Sequence, residues 1–480
     1  MGVIEAKFRP ATPDEAAYAK GGMAWNVVNI PWNFSCKILG TFDLWRKSGN
    51  IINIQVPLPL QVARNIKWLC GYAPEHAFIR TYPTFRGTWN LIDSEMKVLE
   101  AFFAENRDSE IFNHGAAFFA MFEISKKVFP ESKCSPEDFM FTCSAEKNQQ
   151  YHHLIHKLIS GNHIKENLEF IRRRVKDTLQ EWSDRSQIEG KINITLETRI
   201  FASQIISQMV FGMTKRNEEV ANAVNFINRY IVKQVLTKVS EEEKNTFGFA
   251  LKTFNEAVNE VLNSDHIIPL FEESAENPLT VEQKKAMIFA IFFAGQETVG
   301  ASLTYILRKV AMEQGMQSVI RSGIKEATTS FQDATKIKEV QALFTRCMKE
   351  FPPAHGVSRI VKVDTCLEFK LRGVETTYKH IFYAGERITG FMWSFAKGAS
   401  PFETINAWKP FGHGPHRCPG ENLARTEIME LITEALEHYT ISAGSWNAEE
   451  NPISGYVTLQ FRDDVWLHFT RRMELSPKES

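Results

Sequence analysis

The 480-residue sequence has no CxxC pair; its seven cysteines, at 36, 70, 134, 143, 347, 366 and 418, are scattered and odd in number. That pattern excludes a disulfide framework and predicts a reducing, cytoplasmic setting in which most thiols act as small buried hydrophobes. Charge of one sign is not in excess either. Lys and Arg number 56 against 57 Asp and Glu, a formal net charge of -1, which excludes wholesale nucleic-acid binding and an acidic tail. No uninterrupted apolar run reaches the roughly 20 residues that cross a bilayer, so no transmembrane segment is expected. The opening MGVIEAKFRPATPDEAAY lacks a signal-peptide core, and Ala6 breaks a myristoylation pattern at Gly2. Repeats and low-complexity linkers are also missing. One domain over 1–480 is expected, with 1–45 as an extension packed on or flanking it.

What remains is a globular composition, 44% hydrophobic and 24% charged, with room for a large core. Residues 152–182, 198–213 and 217–239 place apolar side chains at i, i+3, i+4 and i+7, the period of amphipathic helices. Strand-like pieces are short: 50–58, 357–364 and 455–469. The predicted fold class is mainly α with small β-sheets.

One stretch, 279–314, opens with a T-x-x-Q capping box at Thr280 and Gln283 and then runs apolar on nearly every face, as a core-threading helix would. Its middle reads Ala294, Gly295, Gln296, Glu297, Thr298. Glycine costs about 1 kcal/mol against alanine in a helix, and a buried acid or alcohol needs partners. Two readings stand. One is an internal polar network beside a packing glycine. The other is a local opening for a small ligand and a proton relay.

A second stretch, KPFGHGPHRCPGENLA at 409–424, surrounds Cys418 with turn residues just before a helix. A helix N-terminus favours the thiolate. His413, His416 and Cys418 could be zinc ligands, but H-x-x-H-x-C lacks the paired spacing of structural sites and no fourth ligand follows. An inert cysteine in a turn is a second reading. A thiolate axial ligand for haem, close to a flat cofactor across a glycine-rich turn, is the third.

Phe411, Gly414, Cys418 and Gly420, followed by Leu423, Ala424 and Glu427, resemble F-x-x-G-x-x-x-C-x-G-x-x-L-A-x-x-E, the haem loop of the cytochrome P450 family. The 294–298 stretch resembles that family's (A/G)-G-x-(D/E)-T motif, upstream where it belongs. The resemblance runs from about residue 45 to the end. It implies a helical prism with haem b between the central helix and the cysteine helix. It implies Cys418 as iron ligand, Phe411 packed beside it, and Ala294 and Gly295 lining the dioxygen groove. Thr298 and Glu297 would deliver protons. Arg359, His416, His152 and His156 would contact the haem propionates, with His156 standing where the family has arginine.

The resemblance breaks before Pro352–Pro353, where Arg346 and Lys349 occupy the places of the family's Glu and Arg. Two buried cations would repel, so Glu403 is the expected compensating partner. Phenylalanines within 99–129 point to an apolar small-molecule substrate, although core packing also accounts for them. Arg172, Arg173, Arg174, Lys157, Lys409 and Arg417 could form a basic face for an external ferredoxin or flavoprotein reductase. The expected activity is haem-thiolate monooxygenation with O2. Alternatives are peroxide-driven oxidation, isomerisation or dehydration, or a haem-binding member without turnover.

Overall fold

Helical periodicity over long stretches of the chain produces helices over most of the described residues. The computed structural model describes residues 3–13, 79–84, 87–92, 98, 101–102, 112–114 and 116–472. Within the last span it leaves out 144, 214–216, 237–238, 265–277, 329–333, 355, 372, 374, 376, 392–409, 445–452, 456–457 and 462. The expected strand at 50–58 lies outside the described residues.

The helices begin with α1 (Ala116–Val128), α2 (Ala145–Ile159) and α3 (Gly161–Glu166). There follow α4 (Leu168–Glu189), α5 (Ile194–Ile205), α6 (Asn217–Leu236) and α7 (Glu241–Leu262). The long α8 (Val281–Met312) precedes α9 (Gln314–Thr328), α10 (Lys338–Glu350) and α11 (Glu421–His438). The periodic stretch 152–182 is therefore split between three helices. The Ser160 side chain accepts from the His163 amide at 3.2 Å and starts α3, and Asn167 caps the end of α3 and the start of α4. Likewise α5 ends in a π-helical turn, Ile206–Val210.

Among the described residues, four small sheets flank the helices. The N-terminal β1 (Val3–Pro10) pairs with β7 (Thr365–Leu371), which pairs with β8 (Thr377–Phe382). A five-stranded sheet runs β2 (Ile79–Thr84), β3 (Gly87–Ile92), β9 (Arg387–Phe391), β6 (Gly356–Val361), β4 (Phe112–His114); only its β3–β9 pair is parallel. The stretch 455–469 breaks into parts of β11 (Ile453–Gly455), β12 (Leu459–Phe461) and β13 (Trp466–Arg471). The last joins β10 (Tyr439–Ala443) and β5 (Ile192–Asn193).

The predicted capping box starts α8: Thr280 accepts from the Gln283 amide at 3.2 Å, and Gln283 accepts from the Thr280 amide at 2.9 Å. Among the described residues, α8 is the helix long and apolar enough to cross a bilayer, and most of that stretch is buried within the protein. Phe289 and Phe292 are fully buried, with Phe129, Phe139 and Phe254 around Phe289 at 5.6–6.5 Å between ring centroids. Close approach of α5 to α8 needs Gly300. A Cβ there would come within 2.6 Å of Arg199 Cγ and 3.2 Å of its Cα. A smaller core of Phe8, Val98, Phe102, Val361, Leu367, Phe382 and Ile388 lies under β1 and β6–β9.

Candidate functional site

The loop before α11 is shaped by its glycines. Gly412 and Gly414 sit at φ 80° and 73°, the left-handed region that side-chain-bearing residues avoid. The chain then makes a 3-10 turn over Gly414–His416 and returns so that the Cys418 amide donates to the Phe411 carbonyl at 2.8 Å. Of the five described cysteines, four are buried and Cys418 is exposed at the turn. Its sulfur is nonetheless enclosed enough that burial pushes the thiol up to about 11, against the pull of the Gly420 amide, which donates to it. The helix-terminus argument for a ready thiolate is thus outweighed. Cys418 lies two residues ahead of the N-cap Gly420, and desolvation outweighs the one amide of the helix start that reaches its sulfur. Among the described residues no three His, Cys, Asp or Glu side chains gather as a metal cluster, so His413, His416 and Cys418 form no zinc site. One thiol at a glycine turn, a half-buried Phe411 and a following helix are residues that would suit haem, with Cys418 as the group that would hold its iron.

On α8, Ile291, Ala294, Gly295 and Thr298 are half-buried while most of their neighbours are buried. Their i, i+3, i+4, i+7 spacing makes this one face of the helix, open to one side. The helix itself is unbroken from Val281 to Met312, so the 294–298 stretch does not interrupt its backbone. The Thr298 hydroxyl donates to the Ala294 carbonyl at 2.7 Å. Gly295 also serves packing, since a Cβ there would meet Ile206 Cδ1 at 2.2 Å. That contact is the packing role that the first reading of this glycine expects.

Glu297 does not share the Thr298 face. It is buried against α5, with the Arg199 Nε 3.2 Å from each of its carboxylate oxygens, and both side chains are at most 2% exposed. Arg199 also donates to the Thr195 carbonyl at 2.6 Å. Sequence reasoning missed Arg199. Its signal was a lone cation in the apolar stretch TRIFASQIISQMV, which needs an acid wherever it is buried.

Arg359 is buried on β6, its guanidinium 4.5 Å from the Phe102 ring and donating to the Phe102 carbonyl. On α2, which packs against the 3-10 turn of the cysteine loop, His152 is half-buried and His156 exposed; His416 is half-buried in that turn. Phe102, Phe122 and Phe129 of the phenylalanine-rich stretch are core residues. In α10, Arg346 is exposed and pairs with Glu350 at 3.0 Å and Glu313 at 3.6 Å, so the expected repulsion of two buried cations does not arise there. Burial pushes the Glu350 carboxyl up, but hydrogen bonds from Lys309, Tyr305 and Arg346 outweigh it and hold the group below its usual range. Glu403 and Lys409 lie outside the described residues. Of the proposed basic face, Arg172 is engaged by Glu430 at 3.1 Å and Arg417 by Glu421 at 2.7 Å; Arg173 and Lys157 are exposed.

A family model described as Cytochrome P450 matches residues 393–460. A cytochrome P450 of Caenorhabditis elegans, cyp-13B1, is 26% identical over 243 residues, 47% of this chain and 47% of its own. The cytochrome P450 monooxygenase astJ of Aspergillus oryzae is 24% identical over 203 residues, 39% of this chain and 40% of its own. The matches thus span about half the length, or less, of these relatives. A crystal structure of a cytochrome P450, CYP102L1, superposes with a TM-score of 0.65 at 15% identity, covering 87% of this chain and 99% of that one. Such a likeness shows a common fold.

Proposed function

We propose that the chain is a member of the cytochrome P450 family and a haem-thiolate monooxygenase acting on an apolar small molecule, a reading that the loop match and the relatives support. The observation that carries this reading is the Cys418 turn, with its amide on the Phe411 carbonyl at 2.8 Å and its sulfur on the Gly420 amide. Haem b bound there supplies dioxygen activation: one oxygen atom enters the substrate, and the other leaves as water with two electrons and two protons. The relative named a monooxygenase supports the same reaction type.

The chain's own residues have distinct tasks. Cys418 binds as the thiolate, since ligation to a metal removes the proton. The Gly420 amide then donates to a charged sulfur, and Phe411 keeps water from it. Ala294 and Gly295 leave space on the open face of α8. Thr298 holds a hydroxyl there that donates to the Ala294 carbonyl and can turn toward that space. Glu297 is the acid assigned to the relay; held as a carboxylate by Arg199, it must leave that partner and take up a proton before it can donate one. Arg359, His152, His156 and His416 are assigned to the propionates. Electrons come from an external ferredoxin or flavoprotein reductase docking near Lys157, Arg173 and Arg417.

Turnover of a panel of apolar compounds tests this, comparing reductant plus dioxygen with peroxide alone. The account predicts a product carrying one oxygen atom from labelled dioxygen only when reductant and a redox partner are supplied. Product formed equally with peroxide alone would contradict it.

A further inference from the structure

The cysteine loop is held at both ends by one side chain that belongs to neither. Phe411 enters the loop and fixes Cys418 directly, because its carbonyl receives the Cys418 amide at 2.8 Å. The Phe411 ring lies 6.5 Å from Phe344 of α10 and within 9° of parallel to it. Arg425, in the second turn of α11, places its guanidinium 5.1 Å from the centre of each ring, capping the pair. Its Nε donates to one oxygen of Glu421 at 3.0 Å. The other oxygen of Glu421 accepts from Arg417, the residue before Cys418, at 3.0 and 2.7 Å. The path therefore runs from the loop's entry, through Arg425 and Glu421, to its exit.

We propose that Arg425, seated on the Phe344–Phe411 pair, is a positioning residue that clamps the cysteine loop to α10 and so fixes the Cys418 sulfur. The step from loop to sulfur rests on the reading of Cys418 as the haem ligand; the clamp on the loop does not. Phe344 is buried while Arg425 is about one-third exposed, so the cation is partly desolvated by aromatic faces. A cation–π contact of that kind changes an opening equilibrium about five- to thirty-fold.

Hydrogen–deuterium exchange on the haem-loaded protein separates the clamp from general stability. In Arg425→Gln and Phe344→Leu, the 411–420 amides exchange about fivefold faster or more, while those of α7 keep the wild-type rate. Arg425→Lys is intermediate, keeping a cation but losing the planar guanidinium on the rings and its Nε donor to Glu421. In the same order, the reduced carbon-monoxide form loses the long-wavelength Soret band of thiolate ligation. Wild-type loop exchange in Arg425→Gln, or acceleration spread evenly over the molecule, would overturn the clamp. Faster loop exchange with an unchanged thiolate band would overturn its link to the sulfur. A chain that takes up no haem would fail the monooxygenase reading alone, because loop exchange still reports on the clamp.

Discussion

The Thr298 hydroxyl, 2.7 Å from the Ala294 carbonyl, has one proton and a choice of acceptors. Removing it should leave reduction intact and waste electrons, because protons no longer arrive in step. Thr298→Ala is therefore expected to lower product per reductant consumed by roughly tenfold or more, with reductant consumption retained; an unchanged yield would count against the relay. Glu427 shows a different residue-level effect. Its Oε2 is buried with no hydrogen-bond partner among the described residues, and burial raises the carboxyl well above the ordinary range. The native state thus binds this proton more tightly than the unfolded chain. Its stabilisation is full below the unfolded pKa and is lost as pH rises through the raised folded value. Glu427→Gln should flatten that loss with rising pH in urea midpoints measured against pH; parallel curves for the two proteins would refute it. The family's loop pattern made Cys418 and Glu427 legible in sequence. The height of their proton affinities was not, since it depends on desolvation by residues far along the chain.

Between elements, α5 and α8 meet through Gly300, Gly295 and the Arg199–Glu297 pair. Removing one partner of a buried ion pair costs about 3–5 kcal/mol, because the other charge is stranded, whereas replacing both with apolar groups is close to neutral. Arg199→Met and Glu297→Met should each lower unfolding free energy by that amount, and the double variant by much less than their sum. Additive losses in urea titrations would show that the two side chains do not pair. The α8 helix was legible because its start is written in local chemistry: Thr280 and Gln283 lie three residues apart and cap each other. The facing of Glu297 was not. Placed beside Thr298 in a motif, it is about 100° around the helix from it, and neighbours in sequence do not face each other. Its partner stands 98 residues away, and only packing reveals it. In the same way the Arg346 problem dissolves because α10 turns that residue outward, toward Glu350 and Glu313.

For the whole molecule, two short motifs lay in the expected order, the 294–298 stretch before the Cys418 loop, and the fold between them matches that of a cytochrome P450. The pairing of β1 with β7, more than 350 residues apart, had no sequence signal beyond a short alternating run. It rests on cross-strand partners such as Arg9 and Glu368, 2.7 Å apart. The proposed function reduces at this scale to a single bond that Cys418 would make to iron, and the most direct measurement is the reduced carbon-monoxide spectrum of the purified protein beside Cys418→Ser. The account predicts the long-wavelength Soret band of thiolate ligation in the wild type and its disappearance in the variant. A wild type without that band, or a serine variant that keeps it, would contradict the account.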